Sequence, residues 1–73
     1  MSDDIRLLDA RFLPPPEPFV QAMEMLSELA PGERMQLLLY REPHPLYRVL
    51  EQNGHRWQTL LRPDGTFEIT ITV

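Results

Sequence analysis

The chain has 73 residues, 42% of them hydrophobic, a net charge of −4 and no cysteine, which bounds it to one small domain, residues 1–73, held together by apolar packing. Without a thiol there can be no disulfide, thiolate metal site or sulfur nucleophile. Residues 1–30 carry six acids against two arginines and residues 31–73 five against five, so no basic face is large enough to dominate nucleic-acid binding. No run approaches the roughly 20 apolar residues of a membrane span, and the acidic Met1-Ser2-Asp3-Asp4 start does not read as a secretory leader. The expectation is a cytoplasmic protein that binds neither membrane nor nucleic acid, with residues 1–4 disordered.

Taken in order, Ile5, Leu7 and Leu8 with Arg6 among them predict a first strand over about residues 5–10. Pro14, Pro15, Pro16 and Pro18 then forbid regular structure. Pro18 suits the first position of a helix, where its missing N–H has no intrahelical partner, and the Glu17 carboxylate favours the positive end of the helix dipole. Phe19, Ala22, Met23, Leu26, Leu29 and Ala30 lay one apolar stripe down that helix, which Pro31-Gly32 ends. Met23 and Met25 at this spacing read as core rather than as a soft binding groove.

Arg34 to Tyr40 has the apolar content of a central strand, with Met35, Leu37 and Leu39 on one face and Gln36, Leu38 and Tyr40 on the other. Arg41-Glu42-Pro43-His44-Pro45 breaks it. Pro45 opens a short second helix with Leu46, Val49 and Leu50 on its buried side, and Asn53-Gly54 closes that helix. His55 to Arg62 predicts a third strand, with Trp57, Thr59 and Leu61 on one face and Arg56, Gln58, Leu60 and Arg62 on the other. Pro63-Asp64-Gly65 signals a hairpin. Phe67, Ile69, Ile71 and Val73 alternating with Glu68, Thr70 and Thr72 give the clearest period-two strand.

The order β-α-β-α-β-β implies an α/β chain, specifically an α+β two-layer sandwich with a four-stranded mixed sheet and both helices on one face, because right-handed crossovers running the same way put their helices on the same side. The other face stays open. Leu38, Tyr40 and Leu60 fall on it, either as a docking patch or as the scattered apolar residues common on such faces.

Leu8-Asp9-Ala10-Arg11-x-Leu13-x-x-Pro16-Glu17-Pro18, followed by a helix and Pro31-Gly32-Glu33, resembles the TusA/SirA-like sulfur-carrier proteins, whose signature is Leu-Asp-Ala-Arg-Gly-Leu-x-Cys-Pro-x-Pro. The similarity runs over about residues 5–73. It implies a strand order 1-2-4-3 with the fourth strand antiparallel to the rest. In those carriers the cysteine sits at the N-terminus of the first helix, where backbone N–H groups and the dipole favour a thiolate or persulfide. Pro15 occupies that position here and Phe12 replaces the glycine, so sulfur transfer through this chain is excluded. With Arg41-Glu42-Pro43-His44-Pro45-Leu46-Tyr47, the sequence resembles a cysteine-less bacterial branch of the superfamily, a domain of unknown function.

Arg11, Pro15, Pro16, Glu17, Arg41, Glu42 and His44 are the candidate site residues, because the loops leaving strands one and two meet at the carboxyl edge where α/β sheets bind ligands. Two helix starts and two arginines there suit a small anion or a partner's carboxylate. The alternative is that Arg11 and Arg41 pair locally with Glu17 and Glu42 and brace the loops. His44 and His55 match no familiar metal spacing, and no cofactor is implied. The leading expectation is a non-catalytic binding or adaptor domain contacting another protein or a small anion. The second is an accessory component of a redox or sulfur/nitrogen enzyme system that binds a metal centre or cofactor through His44.

Overall fold

The computed structural model describes residues 5–73, and the expectation of disorder for residues 1–4 lies outside the described residues. The elements are β1 (Arg6–Asp9), α1 (Glu17–Glu28), β2 (Arg34–Leu39), α2 (His44–Gln52), β3 (Arg56–Leu61) and β4 (Phe67–Thr72). They assemble into one four-stranded sheet in the order β1-β2-β4-β3, with β1 parallel to β2 and β4 antiparallel to both β2 and β3. This is the expected mixed α+β sandwich. Among the described residues no helix is long and apolar enough to cross a membrane.

Period-two patterning decides which side of the sheet the helices cover. Met35, Leu37, Ile69 and Ile71 are completely buried, and they pack with Ala22 and Leu26 of α1 and with Leu46 and Leu50 of α2. Each such side chain contributes about 1.5–3 kcal/mol by leaving water. Met23, Met25 and Leu29 pack against this cluster, as expected of a core stripe. Trp57 does too, its ring stacked on Tyr47 at 5.3 Å. The Tyr47 hydroxyl completes the tie to β3 at 2.6 Å from Thr59 Oγ1, and burial raises its pKa.

Turn chemistry sets the ends. Gly54 follows the Asn53 cap of α2 at φ +74°, a conformation costly for residues with a Cβ. In the β3–β4 hairpin, Asp64 Oδ1 accepts the Thr66 N–H at 2.9 Å, which lowers the Asp64 pKa, and Gly65 takes φ +90°. Both helices begin one residue earlier than the proline rule predicted. Glu17 and His44 are the first helical residues, with Pro18 and Pro45 second, positions that equally lack an intrahelical acceptor.

The open face also differs from expectation at one position. Tyr40 and Leu60 are 46% and 57% exposed, but Leu38 is only 6% exposed. In the register Leu38 lies between Asp9 and Glu68, each held in an ion pair, to Arg11 and Arg62 respectively. Ordered polar side chains beside it take the place of a covering layer.

Candidate functional site

The same local device launches both helices. Pro16-Glu17-Pro18 and Pro43-His44-Pro45 each place one proline at the N-cap and another at the second helical position. Because β1 and β2 are parallel neighbours, the two launches stand side by side at their carboxyl ends. Between them opens a cleft of about 310 Å³, at the small end of ligand-binding cavities. Its walls are Pro15, Pro16, Pro18 and Phe19 on one side and Pro43, Pro45 and Leu46 on the other, with Ala10, Leu37 and Leu39 among the remaining lining. The Pro15–Pro16 peptide bond is cis.

Proline changes what a helix start can offer. A helix N-terminus attracts anions through its unpaired N–H groups, and here most are missing or occupied. In α1 the Glu17 N–H donates to the Pro14 carbonyl at 2.9 Å and Val20 to Pro16 at 3.1 Å. Pro16 and Pro18 have none, so Phe19 has the one first-turn N–H without a backbone acceptor among the described residues. In α2 the His44 N–H donates to Glu42, Leu46 and Tyr47 both donate to Pro43, and Pro45 has none. Among the described residues the two helix starts therefore present few backbone N–H groups to an anion. The charge available in the cleft is guanidinium, from Arg11 and Arg41.

Those two arginines are held differently. Arg11 Nε and Nη2 donate to the two Asp9 carboxylate oxygens at 2.9 and 2.8 Å, while the Arg11 N–H donates to Asp9 Oδ1 at 3.2 Å. These bonds hold the Asp9 carboxyl at about 2 and raise the Arg11 pKa further. The local partner of Arg11 is thus Asp9, not Glu17, because an Asp two residues back presents both oxygens to the guanidinium fork. Arg41 has no carboxylate partner among the described residues. Glu42 instead accepts the Tyr47 hydroxyl at 3.1 Å and lies 3.5 Å from His44 Nε2.

Of the seven candidate residues, Arg11, Pro15, Pro16 and Arg41 line one cleft. Glu17, Glu42 and His44 do not. Glu17 Oε2 accepts from Gln21 Nε2 at 3.4 Å in a second, shallower groove between α1 and β1. His44 is exposed, edge-on to Tyr47 at 5.7 Å, and among the described residues no three His, Asp or Glu side chains gather to hold a metal.

Sequence reasoning passed over an aromatic lip beside the cleft, Phe12 and Tyr40, of which Tyr40 alone lines it. Phe12 is 79% exposed, its ring edge-on to Tyr40 at 5.7 Å, and the Arg11 guanidinium lies 5.7 and 5.9 Å from the two ring centres. Phe19, counted in the helix stripe, is instead 39% exposed and lines the cleft rather than joining the core cluster, because it sits at the open first turn of α1. Two signals were present in the sequence: the bulky Phe12 at the motif's glycine position, and the repetition of Pro-x-Pro before each helix.

Comparison with solved structures finds the same architecture. The crystal structure of the SirA-like protein from Desulfitobacterium hafniense superposes with a TM-score of 0.84 at 25% identity, covering 94% of this chain and 97% of that one. No curated protein sequence matches the chain. Residues 7–73 match the family described as uncharacterized conserved protein, DUF2249. From β1 to the end of β4, then, this is a cysteine-less domain on the SirA-like fold, and the chain belongs to the DUF2249 family.

Proposed function

We propose that this domain is a binding or adaptor module that acts by recognition rather than turnover, and that its recognition site is the cleft between the two Pro-x-Pro launches. The observation that carries this reading is the cleft's composition. Proline rings and Phe19 form apolar walls around Arg41, a cation with no carboxylate partner among the described residues. Such a site suits a protein partner that inserts one apolar or aromatic side chain beside an acidic group.

The lip supports the same reading. Phe12, Tyr40 and Arg11 belong to residue types that dominate binding energy at protein interfaces, and their mutual packing reduces the entropy lost on docking. The absence of a thiol leaves no atom in this chain to carry sulfane sulfur.

N-acetylphenylalanine, an aromatic ring beside a carboxylate, is a suitable probe. Titrated into ¹⁵N-labelled protein, it should shift the amides of Ala10, Leu13, Phe19 and Arg41, and Arg41→Gln should weaken the response. Saturable shifts confined to other surfaces, or an unchanged response in Arg41→Gln, would refute the assignment.

A further inference from the structure

The far end of the open sheet face carries a second, unrelated arrangement. Of the seven arginines, Arg6 pairs with Glu28 at 2.7 Å, Arg11 with Asp9 and Arg62 with Glu68. Arg34 and Arg56 have neither a carboxylate partner nor a side-chain hydrogen bond among the described residues. Glu33, next to Arg34 in sequence, is engaged elsewhere, its Oε1 accepting the Ala30 N–H at 2.7 Å.

The register brings these two arginines together. Arg34 of β2 and Arg56 of β3 both stand opposite Thr72 of β4, so they flank one threonine across two strand spacings, about 10 Å between backbones. In the next row on the same face come Gln36, Thr70 and Gln58. Arg34, Arg56, Gln58, Thr70 and Thr72 share one shallow concavity of about 360 Å³. Two guanidinium forks thus border a floor of hydroxyl and amide groups.

We propose that this concavity is an oxyanion site for a ligand bearing two adjacent anionic groups, a diphosphate or a dicarboxylate, clamped from either side by Arg34 and Arg56 and met by the Thr72 hydroxyl. Guanidinium suits this task, since its planar fork donates two parallel hydrogen bonds to phosphate or carboxylate alike. The site is separate from the cleft and does not depend on it.

The test is a titration of ¹⁵N-labelled protein with pyrophosphate and, separately, succinate, at constant ionic strength to remove general screening. Saturable amide shifts centred on residues 34–36, 56–58 and 70–72 are expected with at least one probe, and the better probe names the ligand class. Arg34→Gln and Arg56→Gln should each weaken that binding about tenfold, the loss expected for one charged hydrogen-bonded contact. Arg48→Gln, the same charge change at an exposed position of α2, should leave it unaltered. The substitutions are at exposed positions, and amide dispersion checks that each variant is folded. The proposal is overturned if neither probe gives localised shifts, or if Arg48→Gln weakens binding as much as the other two.

Discussion

At the carboxyl ends of β1 and β2, the chain consumes or deletes the backbone donors that a helix start would normally present and leaves an apolar cleft with an aromatic lip. At the amino ends of β2 and β3, two arginines without carboxylate partners among the described residues stand across a strand carrying threonines. The difference lies in what covers the sheet. Where helices begin, side chains from three elements enclose space and favour apolar partners; on the uncovered face, exposed side chains keep their charges in water and favour ionic ones. A domain this small can therefore present two dissimilar surfaces.

The largest test of this contrast is at the cleft wall. Leu46 is 1% exposed, belonging to both the core and the cleft, so Leu46→Ala should cost about 2–5 kcal/mol of stability in denaturant unfolding. The same measurement on Arg34→Gln should give a change within about 0.5 kcal/mol. Equal losses would mean that the two ends are not differently built.

Tyr47→Phe should cost about 1 kcal/mol by removing the hydroxyl that bonds to Thr59 and Glu42. It leaves the ring stacked on Trp57, so near-ultraviolet circular dichroism should retain the aromatic signal. Phe12→Ala tests the lip: stability should stay within about 0.5 kcal/mol because the ring is exposed, while binding of the N-acetylphenylalanine probe falls. A large loss of stability would make Phe12 a structural residue instead.

The smallest effect is pH dependence. The Asp9 carboxyl is held at about 2, below the roughly 3.9 of an unfolded chain. Its bonds with Arg11 therefore stabilise the fold fully above about pH 4, and that contribution fades as pH falls toward the folded value. The difference in stability between wild type and Asp9→Asn should be small at neutral pH, since the pair is solvent-screened, and should vanish as the medium is acidified from about pH 4 toward pH 2. A difference that grows on acidification would reverse the sign and refute the ion-pair account.

Sequence by itself determined the order of elements, the helical faces and the sheet alternation, because each is a local period: three-to-four for Ala22 and Leu26, two for Ile69 and Ile71. It also determined the excluded chemistry, since a missing thiol needs no coordinates. Helix starts were legible to within one residue, proline being compatible with either of the first two helical positions. Only tertiary structure decided which loop residues act together. Arg11 chose Asp9 over Glu17 through the geometry of the turn, Leu38 was covered by neighbouring ion pairs, and Arg34 met Arg56 through a strand that follows both in the chain. Cross-strand neighbours are set by register, and register is a property of the assembled sheet.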